Sequence, residues 1–538
     1  MNPNLSSVTD QVAALNGEAV PPSLLNSVTV CCVVRGIRHH DGFAQELHGN
    51  PERPMITRAL NARAIMSNRV PLMSPEHFPY CFWHPDVPQE ETLRQLLAAY
   101  PDNILLRYQI GRACAVGGYF DLYTELCLLP EVAIAEEARD SEAGQAIYEA
   151  IMKAPVRYAY MDDYNRCLRS QPLAGAYLNG DTCVRSLLDR KLPVGPTPYS
   201  PMINNVVFDI TEDCCLDIDG IEPYARPIDP QAVALLHSPV PADLPTVDKD
   251  LLILMAAWSG NIDRYVRLRR PRKIEGELPC IVRGIYHYPL FAKWWLTQLD
   301  VGPHIQQAVH ARCIMNNDLS WLNDTLPESD LPDDLIWYPQ HADEATYREL
   351  LRRRPAMLYT VARACIHADY EKLFTSLDIV PNIHLWWDAR NSSNERYLQH
   401  LELKAMEHGI DLDTLSLPDE EDWAGPQPHA MLKQEIRSHN HGTQSIYLHR
   451  EITLDHIGFR PEELATRLST VGRVLLHACI ADPGIRPKPP YDSLNLKELY
   501  EAAPKDRELV GLAPPRGGIW SRGRGRGRGR GHGRGNGI

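Results

Sequence analysis

The sequence predicts a mainly α-helical fold: a tandemly duplicated, irregular α-solenoid of helical hairpins ending in a disordered tail. Three observations carry this reading. Val34-Arg35-Gly36-Ile37-x-His39-x-x-x-Phe43-Ala44 returns as Val282-Arg283-Gly284-Ile285-x-His287-x-x-x-Phe291-Ala292, seven identities in eleven positions at a separation of 248 (282 − 34). A long-period repeat marks a stacked architecture, in which each unit buries the face its neighbour leaves open. The repeated stretches place apolar residues at helical spacing, as in Ile305, Ala308, Val309 and Met315. Residues 516–538 hold seven Arg and no acid, interleaved with Gly, and offer nothing to bury.

The totals agree. At 538 residues the chain exceeds one hydrophobic core. Its 44% hydrophobic and 23% charged residues are those of a soluble protein. The longest apolar run, Leu251–Trp258, falls far short of the roughly 20 residues that span a bilayer. Met1–Val20 has no Lys or Arg and no sustained apolar core, so it is neither a secretory signal nor a transit peptide. The expected address is intracellular, cytoplasmic or nuclear, and not secreted. The 13 cysteines include no Cys-x-x-Cys pair and read as reduced, buried small hydrophobes. A net charge of −14 with seven Arg in the tail leaves −21 (−14 − 7) on residues 1–515.

Taken in order, residues 1–25 are polar, end in Pro21-Pro22 and read as a disordered leader. A first helical lobe then spans 26–270. Thr29–Val34 is a short apolar run of a kind that strands and helices share. Its counterpart decides for helix: Pro279–His287 leads into Pro289–Leu299, whose first turn carries a Pro where the missing N–H costs nothing. Asp41 offers the matching N-cap in the first lobe, so a helical hairpin is expected in both. Arg35 and Arg283, each beside a Gly, are expected in equivalent surroundings that bridge adjacent hairpins. The next paired segment, Ile305–Leu326, turns at Asn316-Asn317-Asp318. The correspondence continues through Trp83/Trp337, Pro85/Pro339, Thr92/Thr346, Arg112/Arg363 and Tyr119/Tyr370, at separations drifting between 248 and 254. A fainter echo pairs Leu216-Asp217 with Leu454-Asp455. The second lobe is thus 271–515 and the tail 516–538. Pro193–Pro201 and Pro483–Pro490 read as loops and Asp419–Asp422 as an acidic surface run. Asn204–Asp219 reads as an inserted stretch with room for a short strand pair, its acids forming a solvated loop.

A finer motif recurs. Pro172-Leu173-x-x-Ala176-x-x-x-Gly180-Asp181-x-x-Val184-x-x-Leu187-Leu188 resembles the ankyrin helix-turn-helix, in which a small Ala admits the neighbouring helix and Gly makes the turn. Ala256–Asp263, Ala364–Asp369 and Ala405–Gly409 keep the same frame, and Asn317 and Asp506 hold the turn in poorer copies. Thr-Pro-Leu-His is absent and the spacing is irregular, so the repeats are degenerate ankyrin-like hairpins. The phrases Val-Arg-Gly-Ile-x-His and Gly260–Pro271 also resemble those of ascomycete fungal proteins with which no activity, cofactor or catalytic residue is associated.

No catalytic constellation stands out: Gly-x-Gly-x-x-Gly, Walker A, Gly-x-Ser-x-Gly and His-Glu-x-x-His are all absent. The 21 histidines, His39-His40 and His287 among them, lack the spacing of a zinc site, and a hydrogen bond to the following turn suffices for His39. No metal, cofactor or small-molecule ligand is inferred. Six cations in ten residues (Arg264, Arg267, Arg269, Arg270, Arg272 and Lys273) form a basic patch. It reads first as a solvated helix end and second as an import signal or anion-binding stripe. In the tail, Arg522, Arg524, Arg526, Arg528, Arg530 and Arg534 follow Trp520. Arg forks onto phosphate and stacks on bases, and Gly leaves the backbone free to follow a strand. The pattern resembles the Arg-Gly tails of RNA-associated proteins. The expected function is a non-enzymatic scaffold that holds a protein partner and recruits RNA through its tail. The alternatives are an array that itself grips RNA, and an enzyme with an unfamiliar site.

Overall fold

The structure, a computed structural model, describes residues 6–180, 210–213, 238–247, 249–274, 277–299, 301–323, 325–332, 335–390 and 392–412, with the short segments 192–193, 216–217 and 234–235. The expectations for 413–515 and for the tail, including Trp520 and Arg522 to Arg534, lie outside the described residues, as do most of Pro193–Pro201 and residues 204–209.

The described chain is mainly helical, as expected. Helices α1 (Val8–Leu15), α2 (Ser27–His39), α3 (Pro54–Met66), α4 (Glu90–Ala99), α5 (Ile104–Gly117), α6 (Phe120–Glu125), α7 (Val132–Arg139) and α8 (Gln145–Met152) come first. An antiparallel hairpin of β1 (Tyr158–Asp162) and β2 (Cys167–Ala174) follows, then a parallel two-residue pair, β3 (Leu192–Pro193) and β4 (Leu216–Asp217). The second half holds α9 (Lys249–Trp258), α10 (Ile262–Leu268), α11 (Glu277–His287), α12 (Pro289–Leu296), α13 (Pro303–Met315), α14 (Glu344–Arg353), α15 (Leu358–Ala368), α16 (Glu371–Thr375), α17 (Ile383–Arg390) and α18 (Arg396–His408).

Packing follows the chain. α1 lies on α2 and α2 on α3, as α9 lies on α11 and α11 on α13; α5, α7 and α8 pack in series, as do α15, α17 and α18. Among the described residues, buried apolar side chains form three clusters in sequence order, within 14–60, 62–210 and 235–401. The paired segments meet their surroundings in the same way. A Cβ on Gly36 would fall 1.9 Å from the Ala14 carbonyl oxygen, and one on Gly284 2.1 Å from that of Ala257, so only glycine admits the α1–α2 and α9–α11 crossings. Asn68 and Asn317 are both left-handed, at φ 60° and 61°, a conformation Asn tolerates better than most. The Asn68 side chain accepts the N–H of Gln89 and the hydroxyl of Thr92; that of Asn317 accepts the N–H of Asp343 and the hydroxyl of Thr346. Both Val34–Ala44 and Val282–Ala292 begin in a helix and neither is a strand.

Several expectations are corrected. Residues 6–25 are not a disordered leader: Ser7 and Asp10 form a reciprocal capping box, α1 buries Ala14 and Leu15, and the Gln11 amide donates to the Thr29 hydroxyl at 3.1 Å. α9, which begins at Lys249, packs on α11 as α1 packs on α2. In the first half no α-helix forms at the place of α12, directly after α2. Gly42 and Ala44 take positive φ and only a 3₁₀ turn, Gln45–Leu47, forms; Asp41 pairs with Arg69 instead of capping a helix. The Pro172 motif does not open on a helix. Pro172 and Leu173 lie in β2, paired with β1, where proline sits on an edge and Leu173 stays exposed. The turn signal itself is sound: Gly180, Gly260, Asp369 and Gly409 all take positive φ, the last three closing α9, α15 and α18.

Candidate functional site

Two buried charge clusters organise the first half. The last turns of α2 place Arg35, Arg38 and His39 against Asp213, whose side chain is 2% exposed. Arg35 Nη1 lies 3.2 Å from Asp213 Oδ1 and His39 Nε2 2.9 Å from Oδ2, with Arg38 Nε at 3.9 Å from the same oxygen. The Arg38 fork donates to the carbonyls of Cys81 and His84. Next to Asp213, Glu212 accepts from Arg58 on α3 and from Arg166 in the β1–β2 turn, while Ile210 is fully buried in the core. The acids of 210–213 are therefore anchors, not a solvated loop. His39 bonds a carboxylate 174 residues away rather than the following turn.

The electrostatics have physical causes. Burial pushes the Asp213 carboxyl up, but the His39 hydrogen bond and the Arg35 and Arg38 charges outweigh it, so it lies below the usual carboxylate range. Burial, then the Arg38 charge, drops His84 to about 4, so its imidazole is neutral at pH 7. His39, His84 and Asp213 each offer one donor atom, all within 4.8 Å of one another. The sequence spacing of the histidines had excluded such a group, because its members are 45 and 129 residues apart (84 − 39 and 213 − 84).

The second cluster surrounds Arg112 on α5, which is fully buried. It grips Asp163 with both nitrogens, at 2.6 and 3.2 Å, and lies 3.2 Å from Glu137 on α7 and 5.2 Å from the Trp83 ring centre. Trp83 Nε1 donates to Glu137, and the Tyr80 hydroxyl to Asp163. Burial penalises the Arg112 charge, but Asp163 and Glu137 more than compensate and raise its pKa. Beneath them Glu131 caps α7 through the Ile134 N–H and also accepts from Tyr160; burial lifts its carboxyl to about 7 despite Arg112. The second half repeats the device in shortened form. Arg363 lies 5.0 Å from the Trp337 ring centre and binds Asp388 on α17 at 2.5 Å, with His367 stacked on the indole. In sequence Asp388 takes the place of Glu137 (388 − 137 = 251, the separation of Arg112 and Arg363), and among the described residues Trp337 Nε1 has no hydrogen-bond partner.

The remaining candidates are placed as follows. Arg283 occupies the place of Arg35 in the second copy of the phrase. It donates to the Trp258 carbonyl, with its guanidinium 3.5 Å from that indole; α1 has Leu15 at the corresponding place. In the basic patch, Arg264 donates to the Leu235 and Ser238 carbonyls and Arg267 to those of Val240 and Pro241. Arg270 pairs with Asp250, Arg269 lies over Trp294, and Arg272 and Lys273 are exposed. The structure therefore uses four of the six cations to hold α10 within the fold. No described helix is long and apolar enough to cross a membrane. The described cysteines are free, and most are buried, as expected.

The family described as "YKP1 C-terminal domain" matches this chain in two stretches, residues 83–189 and 337–417. They begin at the paired Trp83 and Trp337. A Kluyveromyces lactis protein described as "Uncharacterized killer plasmid pGKl-2 protein 1" is 25% identical over 169 residues, covering 30% of this chain and 74% of that protein. No solved structure matches the chain. The likenesses support kinship with a fungal family to which the comparisons attach no activity.

Proposed function

We propose that the chain is a non-enzymatic interaction scaffold. In this reading an irregular α-solenoid of duplicated helical hairpins holds a protein partner, and the Arg-Gly tail associates with RNA. The observation that carries it is the charge split: seven Arg and no acid in residues 516–538 against a net −21 on the rest. Phosphate binding needs clustered cations, and the tail supplies them in a form that can stack and fork. The array as the RNA-gripping element has less support, because the patch at Arg264–Arg270 is largely committed to the chain's own carbonyls and carboxylate. The repeated glycine crossing, asparagine turn and Trp–Arg–carboxylate device support the duplicated array. Exposed large apolar side chains one turn apart on α18, Leu403 and Met406, support a protein partner.

The test is crosslinking in cells with separate RNA and protein readouts, on the full chain and on a chain ending at Pro515. The expected result is loss of RNA crosslinks and retention of protein crosslinks in the shorter chain. RNA crosslinks that survive the shortening overturn the reading.

A further inference from the structure

We infer that His39, His84 and Asp213 form a binding site for a divalent transition-metal ion of the Zn²⁺ type. Two imidazole nitrogens and a carboxylate oxygen make a three-ligand zinc set that leaves a fourth position open. Here the donors come from the last turn of α2, from the residue before Pro85 and from the 210–213 anchor, yet all lie within 4.8 Å of one another. The side chain of His39 is 26% exposed, so an ion can reach the cluster from solvent.

The surroundings fit an orienting shell. Arg35 holds Asp213 Oδ1, and the ion would take Oδ2, which now faces His39 Nε2 at 2.9 Å and Arg38 Nε at 3.9 Å. Arg38 fixes the peptide of His84 by donating to its carbonyl. Groups that orient ligands in this way are a regular part of metal sites. The same arginines lower the affinity by repulsion, so binding weaker than that of a structural zinc site is expected.

The equivalent position in the second half carries a different residue. There the residue before the cis proline is Tyr338, not histidine. The His287–Tyr338 rings meet edge-on at 5.7 Å and 82°, as the His39–His84 rings do at 6.3 Å and 84°. A tyrosine therefore satisfies this position in the fold. The ring of His84 takes no hydrogen bond among the described residues, whereas a ligand role gives its nitrogen a partner.

The full-length protein, stripped with a chelator, is titrated with Zn²⁺ against a chromophoric competitor and with Co²⁺ by visible absorption. His84→Tyr introduces the residue the fold already accommodates at the equivalent place, and His39→Gln removes the other imidazole. Wild type should bind one more equivalent than either variant, or bind it at least tenfold more tightly, and Zn²⁺ should raise the unfolding midpoint of wild type alone. Because 21 histidines and 13 cysteines offer other sites, the difference between wild type and variants decides. Equal stoichiometry, affinity and Co²⁺ spectrum in all three proteins overturn the site, and so does a wild type that binds no ion.

Discussion

Replacing Arg112 with Met isolates the energetics of the buried charge cluster. Methionine approximates the volume of the arginine stem, so the cavity term stays small and the change is mainly electrostatic. It strands Asp163 and Glu137, which had shared the guanidinium at 2.6 and 3.2 Å, while Tyr80 and Trp83 continue to donate to them. Removing one partner of a buried ion pair costs about 3–5 kcal/mol, and two dependent carboxylates put Arg112→Met in the upper part of that range. Arg363→Met in the other half should cost less, about 1.5–3 kcal/mol, the worth of a hydrogen bond to a charged group. There the arginine side chain is 22% exposed and His367 remains 3.5 Å from Asp388. Urea unfolding followed by tryptophan fluorescence and circular dichroism reads both. The Arg112→Met deficit should shrink toward acidic pH, as the stranded carboxylates take up protons. A loss below about 1 kcal/mol, or a larger loss from Arg363→Met, refutes the reasoning.

Two further outcomes follow from single contacts. Gly36→Ala and Gly284→Ala should each destabilise the fold by about 1–3 kcal/mol, the usual cost of overpacking; a neutral result at one site breaks the equivalence of the two crossings. Glu131, lifted to about 7 from an ordinary 4.5, keeps a proton in the folded chain that the unfolded chain releases. Its stabilising contribution is therefore full below pH 4.5 and lost as pH rises to about 7, with a slope of up to about 1.4 kcal/mol per unit. Glu131→Gln removes that slope, and a stability difference from wild type that stays flat with pH contradicts the account.

Local chemistry was legible in the sequence. The repeated Val-Arg-Gly-Ile stretches are helices, Pro289 opens one, and the turns at Gly260, Asn317, Asp369 and Gly409 fall where glycine or a short polar side chain tolerates a left-handed backbone. The Ser7-x-x-Asp10 box was equally readable and was outweighed by the polarity of its neighbours. Pro172 misled because proline serves a first helical turn and an edge strand alike. The charge clusters could not be read locally: Asp213 meets Arg35 across 178 residues and Asp163 meets Arg112 across 51. Only the recurrence of Arg35 with His39, and of Arg112 with Trp83, signalled that those positions had partners.

The measurement closest to the central claim is fluorescence anisotropy of a single-stranded RNA titrated with the full chain, and with a variant in which the six arginines from Arg522 to Arg534 are serine. The account predicts that wild-type affinity falls with salt at a log–log slope of roughly −0.7 per phosphate contacted, and that the variant loses most of both affinity and slope. Equal binding by the two proteins at the same salt contradicts it and moves the RNA contact into the acidic body.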